Sequence, residues 1–309
     1  MNNQEIQFVN KEDFSCFDLS SNFLEEKISK FNLRYRIPSQ DERDQIILKI
    51  CEYLFENQVV EAGKHRKDQW EDGWKENLDN FIKSGSLDSL IPKYFDKHDV
   101  QRINGEFIIP LESDFEIKLV SLIQYAIFDK YFRNSKSVYE FGAGTGHNLL
   151  RLRELNSKAK LYAMEWASSG VRLINLVSEK LGDKNLVGKV FDYFKPDYSF
   201  DLDQESSVYT FASLEQLGDQ TDAIIDYWIN KKPKIIVNIE PMAEPLDGKE
   251  LLEFLSIKYF EKRKYLKDYV LKLKKLEESG VIKIHEIRKT GFGSLFIEGY
   301  SLIVWSPID

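Results

Sequence analysis

The sequence predicts an α/β chain in which a parallel sheet carries helices on both faces and ends in an antiparallel strand pair. A mainly helical region precedes it. Three observations predict this. From Ser137 onward, short apolar runs alternate with helical patterns in five strand-helix units, which builds a parallel sheet. Two further runs, Val281–Ile287 and Tyr300–Trp305, are joined by a glycine-rich turn, the mark of an antiparallel pair at the sheet's end and of seven strands in all. Before Asn134, apolar residues recur at three- and four-residue spacing. The expected division is therefore 1–134 and 135–309.

The elements follow in order. Ile46, Ile47, Ile50, Cys51, Leu54 and Phe55 form one buried helical face. Asn104-Gly105 separates Asp99–Ile103 from Glu106–Ile109, a hairpin signal. Pro110 ends the extended run, and Ser113 can cap the helix Glu116–Phe132. The strands of the second region are read at Ser137–Phe141, Lys160–Met164, Leu186–Phe191, Ser207–Phe211 and Lys234–Ile239. Helices are read at Asn148–Leu155, Val171–Leu181 and Gln220–Asn230, with a long one, broken once, over Gly248–Ser279.

Composition narrows the function classes. Among 309 residues, 42% are hydrophobic and 30% charged, a globular balance rather than a disordered one. Lys and Arg number 43 against 51 Asp and Glu, so the net charge of −8 argues against a general nucleic-acid binder. Cys16 and Cys51 are too few for a disulfide framework and read as reduced thiols of a cytoplasmic protein. Met1–Ser20 shows no targeting pattern, and no run of about 18 apolar residues suits a membrane span.

The most informative stretch is Val138-Tyr139-Glu140-Phe141-Gly142-Ala143-Gly144-Thr145-Gly146-His147, which follows a strand and opens a helix. Gly142 and Gly144 let the backbone turn tightly and approach a ligand. His147 stands where a dinucleotide fingerprint wants its third glycine, and there is no Gly-Lys-Ser/Thr of a phosphate loop. Glu140 would repel a pyrophosphate, whereas an anion there suits a cationic ligand such as an α-ammonium group.

With its acidic-x-Gly-x-Gly-x-Gly pattern, the sequence resembles the class I S-adenosylmethionine (SAM)-dependent methyltransferases, which carry a Rossmann-like seven-stranded sheet. Glu140, Gly142, Gly144 and Gly146 fit the family's first motif without a gap. The resemblance implies that Glu165, ending the second strand, takes the two ribose hydroxyls, a task a carboxylate can perform with both bonds at once. It implies Trp166 beside the adenine, Asp192 at the adenine amino group and Tyr193 flanking the ring. Phe211, closing the fourth strand, joins this cofactor set. SAM is thus the implied cofactor and S-adenosylhomocysteine the product.

Acceptor residues are expected beyond the fourth strand. Glu215 and Gln216 are the polar pair best placed to face a substrate, Glu215 as a base or a hydrogen-bond partner. A first-turn glutamate favoured by the helix dipole is the plainer reading of Glu215. His147 is a further catalytic candidate, its alternative being a packed or capped residue. Glu240, ending the fifth strand, is a substrate-binding candidate. Trp70 and Trp74 share a helical face near Arg66 and read either as an aromatic wall for an anionic or sugar acceptor, or as packing of a lid on the sheet domain. No carboxylate pattern for a metal stands out. These readings converge on methyl transfer to a small molecule, most directly a hydroxyl of a sugar or of a surface-polysaccharide or secondary-metabolite intermediate. The N-terminal region then serves as a lid and acceptor site. RNA or protein methylation, or a non-catalytic SAM-fold binder, are the alternatives.

Overall fold

The computed structural model describes residues 5–17, 22–56 and 59–308. The reading of Met1–Ser20 therefore lies partly outside the described residues. Among the described residues, no helix is long and apolar enough to cross a membrane.

The chain opens with β1 (Ile6–Phe8), α1 (Phe23–Phe31), β2 (Arg34–Arg36), α2 (Gln40–Phe55) and α3 (Lys67–Ser84). A capping box starts α2: Ser39 Oγ accepts the Glu42 N–H at 3.3 Å, and Glu42 Oε2 accepts the Ser39 N–H at 2.7 Å. The predicted hairpin is β3 (Gln101–Ile103) and β4 (Glu106–Pro110), and α4 (Phe115–Tyr131) follows. Its N-cap is Asp114, whose side chain makes no capping hydrogen bond and pairs instead with Lys118 at 2.7 Å, so Ser113 is not the cap. The residues of α4 from Leu119 to Phe128 are buried on every side. Its end packs on the main sheet, with Phe128 and Phe132 ring centroids 5.1 Å and 5.4 Å from Tyr209.

The second half alternates as expected: β5 (Ser137–Phe141), α5 (His147–Leu155), β6 (Lys160–Glu165), α6 (Ser168–Leu181), β7 (Leu186–Val190), β8 (Ser207–Phe211), α7 (Asp222–Lys231) and β9 (Ile235–Glu240). The long C-terminal helix is two helices, α8 (Leu251–Arg263) and α9 (Tyr269–Glu278). Then come β10 (Ile282–Lys289), the two-residue β11 (Gly293–Ser294) and β12 (Ser301–Pro307). The main sheet has the order β10-β12-β9-β8-β5-β6-β7, and β12 is antiparallel to both its neighbours. Strand alternation assigns the two faces. Val138, Leu161, Tyr209 and Val237 pack with Ile123 of α4, Leu149 of α5 and Leu173 of α6. Tyr139, Phe141, Val208 and Ile236 pack with Trp228 of α7 and Leu273 of α9.

The first region is less helical than expected. It contributes four of the five strands of a second, antiparallel sheet, ordered β1-β2-β4-β3-β11. Strands of three residues such as β1 and β2 are too short to show an alternation, which is why their pattern is silent in the sequence. The fifth strand, β11, comes from the connection between β10 and β12 and pairs with β3 through Gly293 and Arg102. In the main sheet, the strand order reverses between β5 and β8, and this opens a crevice at their carboxyl ends.

Candidate functional site

A cavity of about 570 Å³ fills that crevice and is roofed by α3 and the second sheet. Its floor is the glycine loop. Gly142 has φ +73°, and a Cβ there would meet Ser213 Cβ at 2.4 Å. Gly144 has φ +56°, and a Cβ there would lie 3.0 Å from the Trp74 ring. Both positions need glycine for conformation and for space. Trp74, buried, thus lies against the loop, and its neighbour Trp70 is 5.3 Å away between centroids. Glu71 fastens α3 to the start of α6 by accepting the Ser168 N–H at 2.7 Å and the Ser169 N–H at 2.9 Å. Burial works against the Glu71 anion, but the bonds from Ser168 and Ser169 hold its carboxyl below the usual range.

Glu165 lines the cavity at the end of β6. Its Oε2 accepts the Gly144 N–H at 2.7 Å and its Oε1 the Ala167 N–H at 2.9 Å. Burial pushes its pKa up to about 7. One bond to each oxygen leaves lone pairs for two hydroxyl donors. Trp166, Phe194 and Tyr193 line the same part, with Trp166 and Phe194 stacked at 5.9 Å and the Tyr193 hydroxyl 2.9 Å from Ser213 Oγ. Phe211 is also on the wall, against Tyr300 at 5.0 Å.

Three residues expected at the cofactor are elsewhere. Gly146, at φ +76°, opens α5 against Ile174, whose Cγ1 a Cβ would meet at 2.7 Å, and it is off the cavity wall. Glu140 is fully buried on the sheet face covered by α5, because it shares that face with Val138. Its Oε1 accepts from Asn148 Nδ2 at 2.6 Å, it does not line the cavity, and burial raises its pKa to about 8. Glu140 therefore braces the loop from below rather than meeting a ligand's ammonium. Asp192 is turned into its own loop, where Oδ1 accepts the Phe194 N–H at 2.9 Å, and it too is off the cavity wall. In this arrangement the Asp192 carboxylate serves its own turn.

Beyond the Trp pair, a polar chain crosses from roof to sheet. Arg66 Nη1 donates to Gln216 Oε1 at 2.8 Å, and Gln216 Nε2 donates to Glu215 Oε1 at 3.1 Å. Ala212, at φ +47°, turns the chain out of β8 and sets up the one-turn helix that buries Glu215 and Gln216. Behind Glu215 lies Glu240, whose Oε2 accepts the Ser213 N–H at 2.9 Å. Glu215 Oε2 and Glu240 Oε1 receive no donor from other side chains or backbone, and the two carboxyls contact each other. Burial, then the Glu215 charge, drives the Glu240 carboxyl well above the usual range. Glu240 is off the cavity wall, screened by Glu215, so it does not bind substrate directly. His147 is on the wall with Nδ1 3.1 Å from Thr145 Oγ1. Burial holds its imidazole well below the usual value, which makes it a neutral, weak base.

The structure brings Arg66, Trp70, Trp74, Glu215 and Gln216 to one cavity, and adds residues that the sequence reading missed: Tyr94, Glu116, Tyr259, Arg263 and Tyr265. Tyr259 and Arg263 stand four apart on α8, so the helical spacing was the signal that could have found them. Among the described residues, no group of three or more His, Cys, Asp or Glu side chains is placed to hold a metal ion.

No family model matches the chain, and no curated protein matches it. Among solved structures, a SAM-dependent methyltransferase from Aquifex aeolicus aligns at 17% identity, covering 60% of this chain and 89% of its own, with a TM-score of 0.41. A geranyl diphosphate C-methyltransferase from Streptomyces coelicolor A3(2), in complex with Mg2+, geranyl diphosphate and S-adenosylhomocysteine, aligns at 12% identity, covering 76% and 98%, with a TM-score of 0.48. An O-methyltransferase from neocarzinostatin biosynthesis aligns at 14% identity, covering 78% and 70%, with a TM-score of 0.42. At these scores the likeness adds nothing to what the chain's own residues carry.

Proposed function

We propose that the chain is a SAM-dependent methyltransferase acting on a small-molecule acceptor, most directly on a hydroxyl. The observation that carries this reading is the junction of the glycine loop with Glu165. A buried carboxylate lines a cavity beside a loop that tolerates no Cβ, at the point where strand order reverses. The donor set fits the cofactor: Glu165 has lone pairs left for ribose hydroxyls, and Trp166, Phe194 and Tyr193 offer flat apolar surface beside it. When bound, SAM supplies an electrophilic methyl group.

The protein then has three tasks. The roof over the cavity limits water, and the walls would orient the acceptor hydroxyl toward the part of the cavity that takes the cofactor. Glu215, with Glu240 behind it, accepts the acceptor's hydroxyl proton. Gln216 fixes the Glu215 carboxyl while Arg66 fixes Gln216. A sugar or natural-product hydroxyl fits the mixture of aromatic and polar walls. A cytoplasmic location belongs to the same proposal and rests on a cysteine count of two in 309 residues.

Calorimetric titration with SAM is the first test, and no binding at millimolar ligand would sink the reading. Methyl-labelled SAM incubated with cell extract should place label in the small-molecule fraction. Label in the RNA or protein fraction instead would overturn the acceptor class, and SAM binding without label in any fraction would leave a non-catalytic binder.

A further inference from the structure

We propose that the acceptor carries an anionic group, a carboxylate or a phosphate, held by Arg66 and Arg263 in the part of the cavity beyond the Trp70–Trp74 pair. The word acceptor rests on the methyltransferase reading; the anion site stands on the two guanidiniums alone.

Both arginines line the cavity, one from the roof and one from the end of α8. Arg66 is only 8% exposed. Among the described residues, neither has a carboxylate within ion-pair distance. Arg66 spends its bonds on two amides, Gln69 at 3.0 Å and Gln216 at 2.8 Å. Arg263 Nη1 reaches only the Tyr53 hydroxyl, at 3.4 Å, and its Nε is buried without a partner. The Trp70 indole N–H beside them is also buried without one.

Each guanidinium lies over aromatic faces: Arg66 over Trp70 at 5.0 Å, and Arg263 over Tyr265 at 5.2 Å and Tyr259 at 5.8 Å. A guanidinium's donors lie in its own plane, so stacking leaves its edge free to fork an anion. The two cations also repel each other, and burial together with the Arg263 charge lowers the Arg66 pKa. The Glu215 charge acts on Arg66 through space but makes no ion pair with it. Two neighbouring like charges with no carboxylate paired to either are costly, and an anion bound between them removes that cost.

The test uses the full chain and two probes, inorganic phosphate and acetate, titrated at an ionic strength fixed with chloride. Tryptophan fluorescence is the readout, since Trp70 touches Arg66. The expected result is a saturable change with at least one probe, weakened tenfold or more in Arg263→Gln and in Arg66→Gln and partly restored in Arg263→Lys. Tighter binding of phosphate assigns a phosphorylated acceptor, and tighter acetate a carboxylated one. No saturable response to either probe, or equal affinity in Arg263→Gln and the parent, overturns the proposal. SAM titration on the same samples separates the two readings. Anion binding without SAM binding would remove the methyltransferase and keep the site, while SAM binding without anion binding would remove only the site.

Discussion

The cavity has two walls of different construction. The cofactor wall comes from consecutive strand ends, with Gly142–Thr145, Glu165 and Tyr193 each leaving the sheet at its carboxyl edge. The acceptor wall comes from segments far apart in sequence: Arg66 before α3, Glu215 after β8, Arg263 at the end of α8, and Phe296 after β11. The first wall is fixed by backbone geometry and the second by side chains meeting across elements. Damage to one should therefore read out in cofactor affinity, and damage to the other in turnover.

The largest effect expected is from Gly142→Ala. The strained φ and the 2.4 Å approach to Ser213 together should cost about 2–5 kcal/mol of stability and remove measurable SAM binding, checked by urea unfolding and calorimetry. Near-parental binding would show that the loop has another arrangement. Next, Glu215→Gln should lower kcat about 100-fold while SAM affinity holds. A matching loss of SAM affinity would merge the two walls into one.

Third, Glu165→Ala should weaken SAM by about 1–3 kcal/mol because buried hydroxyls lose a charged acceptor. Asp192→Ala should weaken it by less, since Asp192 faces its own loop. A larger effect at Asp192 would mean that the carboxylate turns when cofactor binds. Fourth, stability without cofactor should fall as pH rises from 5 to about 8. Glu165 and Glu140 keep their protons in the folded state up to pH near 7 and 8, whereas unfolding releases them from about 4.5 upward. The folded state thus binds more protons across that window, and stability declines with pH. Thermal melts should show this decline, flattened in Glu140→Gln; a flat parental profile would contradict it. Smallest is Glu71→Ala, with a loss of about 0.5–2 kcal/mol of stability as α6 loses its anionic partner.

The same contrast explains what the sequence made legible. The main sheet was readable because most of its parallel strands are followed by a helix and because the loop's glycines announce a turn that other residues cannot make. Glu165 was readable for the same reason, standing at a strand end. Glu140 was placed wrongly although the correcting signal is present: its alternation with Val138 and Phe141 sends it under α5. Asp192 failed for a different reason, because whether an aspartate serves its own turn or a ligand is a choice of rotamer. The acceptor wall was mostly invisible. Arg263 and Tyr259 acquire meaning only when α8 is folded beside Arg66, and the second sheet is made of strands too short to print a pattern.

β11 ties these matters to the order in which the molecule is made. The second sheet begins at Ile6 but needs Gly293 and Ser294 as its last strand, and the buried Arg102 donates to Leu295 O at 3.1 Å. On a ribosome, N-terminal segments emerge first and wait for their partners. Here the wait lasts almost the whole chain: until residue 295 emerges, the first sheet element made is also the last completed. A nascent chain that stops short of β11 keeps an open edge at β3, where another extended segment can pair. The cavity's roof is thus a late event of synthesis, and a chain cut just before β11 is expected to aggregate rather than keep partial activity.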